Sequence, residues 1–143
     1  MLCEEIMRKD VQMVAPDDSA QTAASKMRDE NIGFLPVVDQ SGAILGTVTD
    51  RDLATRLVAG GHDPAHTPVG TVMTRGVVSC HPSDDIRRAE ELMRRNHKSR
   101  IVCIDSANRL AGIISLSDIV QYEEEKEAVQ TVKEVAQREA HLH

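Results

Sequence analysis

Two segments of the chain place a hydroxyl residue three positions before an aspartate and three positions after a glycine. The first reads Gly46-Thr47-Val48-Thr49-Asp50-Arg51-Asp52, and the second reads Gly112-Ile113-Ile114-Ser115-Leu116-Ser117-Asp118. A hydroxyl and a carboxylate at this spacing form a helix capping box, in which each side chain bonds to the backbone N–H of the other residue. Taken once, the pattern indicates only the start of a helix.

The same groups could bind a nucleotide if each motif lies where a strand ends and a helix begins. The free N–H groups of a helix N-terminus attract phosphate, and the hydroxyl can add a hydrogen bond. An aspartate can accept two hydrogen bonds from the vicinal hydroxyls of a ribose, and a glycine lets a ligand approach the backbone. Because both copies keep the motif, we expect a binding role in addition to capping.

An internal repeat determines where these motifs lie. An offset of 66 aligns residues 6–54 with residues 72–120 without a gap, and ten of the 49 aligned pairs are identical. The identities include chain-breaking and capping residues, such as Pro16 with Pro82 and Asp39 with Asp105. The gapless register and the shared chain-breaking and capping residues indicate a duplicated structural unit.

Each copy predicts the element order β-α-β-β-α. Short strands are expected at 11–14 and 77–80, each stopped by a proline. Apolar residues at helical spacing then predict a helix, with Asp18 or Ser19 as the N-cap in the first copy and Asp84 or Asp85 in the second. Two hairpin strands follow at 34–38 and 43–48, and at 101–104 and 109–114. A second helix is expected to start at Thr49 and at Ser115.

A unit of about fifty residues buries two helices and a three-stranded sheet poorly when it is alone. We therefore expect an α+β fold in which the two repeats pack sheet to sheet with pseudo-twofold symmetry. The predicted boundaries are 1–61 for the first repeat, 62–68 for a linker, 69–122 for the second repeat and 123–143 for an amphipathic C-terminal helix. Its expected apolar seam, which should pack on its own domain or on a second copy, is Val129, Val132, Val135 and Ala136.

The repeated unit, with Leu35-Pro36-Val37-Val38-Asp39 and the glycine-hydroxyl-aspartate motif, resembles the cystathionine-β-synthase (CBS) domain, and the pair resembles a tandem Bateman module. The resemblance covers roughly residues 6–122. It implies a non-catalytic regulatory module that binds AMP, ADP, ATP or S-adenosylmethionine in the cleft between the repeats. Signalling would follow from a conformational or dimer change, which implies a homodimer and a regulated partner protein.

The resemblance also implies roles for individual residues. Asp52 and Asp118 match the ribose-binding carboxylates, and Thr49 and Ser115 match hydroxyls near ribose or phosphate. The remaining matched positions are Arg51 and Ser117 near phosphate, Thr47 and Ile113 beside the base, Val78 and Arg100 as partners of the Asp52 site, and Gln12 and Phe34 as partners of the Asp118 site. With Arg51 and Arg100, the first site is expected to bind a nucleotide more tightly than the second, which has no fixed cation.

The composition excludes several classes of protein. The net charge is −6, and aromatic residues make up 1% of the chain, so neither a duplex surface nor a stacking platform for nucleic acid is expected. No apolar run is long enough for a membrane helix and no signal peptide is evident, which predicts a cytoplasmic protein with no membrane partner.

Metal binding and catalysis find little support in the sequence. Cys3, Cys80 and Cys103 lack metal-ligand spacing and are expected to be reduced thiols. His62 and His66 flank a proline in the linker, and Cys80-His81 lies at a strand end, so a metal or redox role is the weaker reading of both. No nucleophile elbow or phosphate loop occurs, and neither an enzyme nor a cofactor is expected. The alternative is a constitutive interaction module in which the motifs only cap helices.

Overall fold

The computed structural model describes residues 1–122 and 125–142, and it divides the chain into two compact units. One unit is Gln12–Val77, and the other combines Met1–Val11 with Val78–His143. The first eleven residues therefore belong with most of the second repeat, and the beginning of the second repeat belongs with the first. We call these the 12–77 unit and the 78–143 unit.

The 12–77 unit is built around an antiparallel hairpin and the helices that follow and precede it. Its elements are α2 (Ala20–Glu30), β1 (Phe34–Val38), β2 (Ile44–Thr49), α3 (Asp50–Asp52), which continues as a π-helical segment (Leu53–Val58), a 3-10 turn (Pro64–His66) and α4 (Val69–Val72). The strand expected at 11–14 is reduced to a single parallel bridge between Val14 and Val37. Pro16 lies two residues further on, and it has no N–H to extend this pairing.

The 78–143 unit contains a three-stranded sheet in the order β3-β4-β5. Its elements are α1 (Cys3–Ile6), β3 (Ser79–Cys80), α5 (Ile86–Asn96), β4 (Arg100–Ile104), β5 (Leu110–Ser115), α6 (Leu116–Tyr122) and α7 (Glu125–Leu142). β3 pairs with β4 in parallel, and β4 pairs with β5 in antiparallel orientation. The element order predicted from the repeat is confirmed in the second copy, and in the first copy from the first helix onward, with strand boundaries shifted by one or two residues. Packing of the two repeats sheet to sheet stays a prediction.

Local side-chain hydrogen bonds explain why the elements begin and turn where they do. Ser19 accepts a hydrogen bond from the N–H of Thr22 and caps α2, and Asp85 caps α5 in the same way. In both hairpins an aspartate organises the turn: Asp39 accepts from the N–H groups of Ser41 and Ala43, and Asp105 accepts from two corresponding N–H groups. The hydroxyl of Ser41 adds a third bond, and these bonds lower the pKa of Asp39.

Each unit has its own aliphatic core, as the composition requires. Fully buried residues of the 12–77 unit come from α2, the hairpin and α4, and include Leu35, Val37, Val48, Val69 and Val72. Those of the 78–143 unit include Ile86, Met93, Ile101, Ile114 and Ile119. Among the residues described, no helix combines the length and the apolar character needed to cross a bilayer.

The C-terminal helix α7 packs against α5 and α6 of the 78–143 unit. Its buried face is formed by Thr131 and Val135, and the Thr131 hydroxyl accepts a hydrogen bond from Arg94 on α5 at 3.1 Å. Of the expected seam, Val135 is buried against the unit, whereas Val129, Val132 and Ala136 are exposed on this chain, so their packing on a second copy stays a prediction. Residues 131 and 135 are one helical turn apart, and that spacing alone could not show which turn faces the unit.

Candidate functional site

The glycine-hydroxyl-aspartate motif of the 12–77 unit lies at the end of β2, where α3 begins. The Thr49 hydroxyl accepts a hydrogen bond from the N–H of Asp52 at 3.1 Å, and Asp52 Oδ2 accepts one from the N–H of Thr49 at 3.0 Å. This reciprocal pair is the predicted capping box. We call the group Thr47, Thr49, Arg51 and Asp52 the first corner.

The 78–143 unit repeats this geometry between β5 and α6. The hydroxyl of Ser115 accepts from the N–H of Asp118 at 3.2 Å, and Asp118 Oδ2 accepts from the N–H of Ser115 at 3.0 Å. We call Ile113, Ser115, Ser117 and Asp118 the second corner. Asp52 and Asp118 are buried in spite of their charge, whereas Arg51 and Ser117 are exposed beside them.

The second carboxylate oxygen, Oδ1, has different partners in the two corners. At the first corner it accepts a hydrogen bond from the Thr74 hydroxyl at 3.1 Å, and Arg56 Nε lies 3.8 Å away. At the second corner Asp118 Oδ1 accepts from both Nε and Nη2 of Arg8, each at 3.3 Å. The sequence left the second site without a cation, and the structure places Arg8 on its carboxylate. The offset of 66 pairs Arg8 with Thr74, and this pairing is the signal that could have revealed it.

The segments that carry these partners are joined to the corners through the backbone. Thr74 and Thr47 exchange two N–H···O bonds, of 2.8 and 2.9 Å, and Arg8 and Ile113 exchange two of 2.9 and 3.0 Å. A Cβ atom on Gly46 would lie 2.5 Å from the Thr74 carbonyl oxygen, and one on Gly112 would lie 2.8 Å from that of Arg8. The expectation that these glycines admit a ligand was wrong, because the chain's own crossing segment occupies that space.

The remaining predicted site residues divide between the units. Thr47 and Ile113 lie on the last strands, half-buried, next to their capping hydroxyls. Val78 and Arg100 belong to the 78–143 unit, and Gln12 and Phe34 belong to the 12–77 unit. The structure brings together the four residues of each corner, and the contribution of these four further residues stays a prediction.

The arrangement has a definite chemical capacity. Each corner presents a desolvated carboxylate. Its Oδ2 accepts a hydrogen bond from a backbone N–H, so the carboxylate is held in one orientation. At the first corner Oδ1 has room to accept hydrogen bonds from hydroxyl donors, whereas at the second corner it already accepts two from Arg8. Thr49 or Ser115 contributes a hydroxyl close by, and at the first corner Arg51 adds a cation. Groups of these types are suited to hydrogen bonding with a diol and an anion.

A feature that sequence spacing concealed is the meeting of all three cysteines in the core of the 78–143 unit. Cys80 Sγ lies 3.7 Å from Cys3 Sγ and 3.5 Å from Cys103 Sγ, and all three are buried free thiols. Hydrogen bonds from Cys103 and Cys80 lower the pKa of Cys3. The pKa values of Cys103 and Cys80 are raised, because their S–H groups are engaged in these bonds and a second thiolate would lie beside the first in a desolvated core.

The linker residues considered as metal ligands make a local contact or lie exposed. His66 Nδ1 lies 2.6 Å from Asp63 Oδ2, and this contact lowers the pKa of Asp63, but both residues and His62 are exposed. Within the described residues, no group of three or more histidine, cysteine or acidic side chains is arranged to hold a metal ion. An open groove of about 450 Å³ in the 12–77 unit is lined by residues 13–18 and 38–40 and contains no predicted ligand residue.

Comparison with known proteins shows the same repeat. A family model of the CBS domain matches residues 3–59 and 69–125. The chain is 39% identical over 116 residues to the CBS domain-containing protein YhcV of Bacillus subtilis (strain 168), a match that covers 81% of each protein.

Two solved structures are similar to this one in fold. The CBS domain pair of protein MJ0100, in complex with 5′-methylthioadenosine and S-adenosyl-L-methionine, has a TM-score of 0.74 and 26% identity, and covers 85% of this chain and 94% of that one. Hypoxic Response Protein I, solved with two coordinated zinc ions, has a TM-score of 0.78 and 27% identity, with coverage of 87% and 100%.

Two gapless CBS repeats, matched over most of the chain, define the class of protein. The chain belongs to the CBS-domain family. More particularly, it is a tandem CBS pair of α+β fold with a C-terminal helix, of the kind found in YhcV, where the matching region likewise makes up most of the protein.

Proposed function

We propose that the chain is a non-catalytic regulatory module that binds an adenosine-containing ligand, either a nucleotide such as AMP, ADP or ATP or S-adenosylmethionine. The observation that carries the proposal is the pair of corners, each with a buried carboxylate fixed at a strand end by its own capping box, with Oδ1 of Asp52 facing a hydroxyl donor at the first corner. The two ligands in the MJ0100 structure are both adenosine derivatives, which supports the class of ligand.

The first corner is the proposed principal site. Asp52 accepts hydrogen bonds from the ribose hydroxyls, Thr49 bonds to ribose or phosphate, and Thr47 lies beside the base. Arg51 supplies charge to an anionic tail, whereas Ser117 stands at the matching position of the second corner. A tail that carries phosphate therefore meets Arg51 at the first corner, whereas the cation of the second corner, Arg8, is engaged with Asp118.

Signalling in this proposal depends on linkage. A ligand can shift the population of conformations or of dimers only by its difference in affinity for the two states. The chain would report ligand concentration to a protein partner through such a shift, with a homodimer as the expected assembly.

The experiment is a thermal-shift titration of the chain with AMP, ADP, ATP and S-adenosylmethionine. At a ligand concentration of about 100 times Kd, binding adds about 2.7 kcal/mol to the free energy of unfolding and raises the melting temperature. Asp52→Asn keeps the cap acceptor and the shape of the side chain but removes its charge, and it should abolish most of this shift.

Asp50→Asn is the matched control, because it makes the same change two residues earlier on an exposed side chain. It should keep the wild-type shift. If none of the four ligands raises the melting temperature of the wild type, the proposal fails and the constitutive interaction module becomes the better account.

A further inference from the structure

The two corners differ in one position of the repeat. Thr74 and Arg8 are related by the offset of 66, and each is fixed by two backbone hydrogen bonds to the strand that leads into its corner. Their side chains therefore start from equivalent places and reach the same oxygen, Oδ1, of Asp52 or Asp118. The two repeats therefore place different side chains, a threonine and an arginine, at the same structural position.

The two side chains leave Oδ1 with different capacities to accept further hydrogen bonds. A carboxylate oxygen has about two lone-pair sites. At Asp52 the Thr74 hydroxyl uses one of them, and the hydroxyl can rotate to become an acceptor for an arriving donor. At Asp118 two N–H groups of Arg8 use both, while Oδ2 is already held by the N–H of Ser115.

Displacing Arg8 also has an electrostatic cost. The Asp118 side chain is 7% exposed and that of Arg8 is 73% exposed, so a partly solvated cation compensates a carboxylate that itself has little contact with water. Replacing a charge-assisted pair by neutral ribose hydroxyls loses the stronger of the two kinds of hydrogen bond. At the first corner the Arg56 guanidinium donates a 2.8 Å hydrogen bond to the carbonyl oxygen of Met73, and its Nε lies 3.8 Å from Asp52 Oδ1, an ion pair longer than a hydrogen bond.

We propose that Arg8 occupies the ribose-binding position of the second corner and excludes a ribose-bearing ligand from it, so that each chain binds one such ligand, at Asp52. The inference rests on the proposed function, and it names the residue that determines the occupancy of the second corner. Arg8 acts by competing for Asp118.

The test is isothermal titration calorimetry with AMP on the full chain, read as the number of ligands bound per chain. The wild type should bind one. Arg8→Thr gives the second corner the side chain of the first, and it should bind two, with the second site gaining about tenfold or more in affinity. Adding Asp118→Asn to Arg8→Thr should return the number to one.

Thr74→Arg is the reciprocal variant, because it gives the first corner the side chain of the second. It should lower AMP binding by about tenfold or more while Arg8 remains in place. Arg8→Gln is a second variant that keeps most of the side-chain length without the charge, and it should also bind two. Circular dichroism of each variant establishes that the fold is kept.

The outcomes separate the two ideas. If the wild type binds two AMP molecules, or if folded Arg8→Thr and Arg8→Gln both still bind one, the role of Arg8 is wrong and the proposed function stands. If neither the wild type nor any variant binds AMP while S-adenosylmethionine binds, the same titrations with S-adenosylmethionine decide the role of Arg8. If no form binds AMP, ADP, ATP or S-adenosylmethionine, both ideas are overturned.

Discussion

Asp52 and Asp118 have the same residue type, the same cap and nearly the same burial, yet their surroundings give them different chemistry. Oδ1 of Asp52 accepts a hydrogen bond from the neutral hydroxyl of Thr74. Oδ1 of Asp118 accepts hydrogen bonds from the guanidinium of Arg8. Arg56 Nε also lies 3.8 Å from Asp52 Oδ1, beyond hydrogen-bond distance, so this oxygen keeps acceptor capacity for a ligand. Asp118 is already compensated within the chain.

The three cysteines show how position alone changes a side chain. Each thiol by itself would count as a small apolar core residue. With Cys80 within 3.7 Å of both other sulfurs, hydrogen bonds among the thiols favour a single thiolate, so the pKa of Cys3 falls while those of Cys80 and Cys103 rise. The thiols of Cys80 and Cys103 therefore keep their protons in the folded chain at pH values where an unfolded chain releases them.

The thiols predict a pH dependence of stability. Above the ordinary thiol pKa of about 8.5, the unfolded chain ionises Cys80 and the folded chain does not, so the free energy of unfolding falls as the pH rises. At pH 9.5 this single group lowers it by about 1 kcal/mol relative to pH 7.5. Urea unfolding of reduced wild type and of Cys80→Ala at both pH values measures the difference.

Cys80→Ala lacks the group, so its decline over the same interval should be shallower, even though the variant is less stable at both pH values. The lowered pKa of Cys3 acts in the opposite direction between pH 7.5 and the ordinary thiol pKa, because the folded chain keeps Cys3 ionised while the unfolded chain still binds its proton. The comparison with Cys80→Ala, which keeps Cys3, therefore isolates the share of Cys80. Equal declines in the two proteins would show that Cys80 keeps no proton on folding.

At the scale of elements, α1 and α4 hold equivalent places in the repeat but belong to units built mainly from the other copy. Cys3 and Ile6 of α1 are buried in the core of the 78–143 unit, and Val69 and Val72 of α4 are buried in the core of the 12–77 unit. The residues directly after these helices make the backbone bridges to Ile113 and Thr47. Each short helix thus positions the side chain that faces a corner carboxylate.

Because each short helix packs in the core of one unit, a cavity made in that helix should destabilise that unit. Ile6→Ala should destabilise the 78–143 unit by about 2–5 kcal/mol and speed amide hydrogen exchange in β4 and β5. Val72→Ala is the matched change in the other unit, since residue 72 lies 66 positions after residue 6, and it should speed exchange in β1 and β2. Mass spectrometry of peptides from each hairpin reads both effects. Faster exchange in β1 and β2 on Ile6→Ala would contradict the assignment of α1.

Much of the fold follows from residues that act locally. Capping by Ser19 and Asp85, the turns at Asp39 and Asp105, and the capping boxes at Thr49 and Ser115 depend on neighbours within four positions, and the sequence predicts them all. Arg8 with Asp118 and the three thiols are separated by 23 to 110 positions along the chain. Contacts between distant segments depend on which copy each segment packs with, and the repeat pattern does not show which copy that is.

At the scale of the whole molecule, two repeated units with one unequal position give a protein with two corners and one proposed principal ligand site. The duplication supplies the same capped carboxylate twice, and the difference between Thr74 and Arg8 makes the two copies unequal. A regulatory module gains from such inequality, because a single site responds to ligand over one concentration range while the second corner stays part of the structure.

The central claim is that an adenosine-containing ligand binds at the first corner, and amide hydrogen exchange with and without saturating AMP or S-adenosylmethionine tests it most directly. The account predicts slower exchange in peptides that cover Ile44–Thr49 and Leu53–Val58, with little change in Leu110–Ser115 and Leu116–Tyr122. Unchanged exchange throughout, or slowing confined to the groove at residues 13–18, would contradict it.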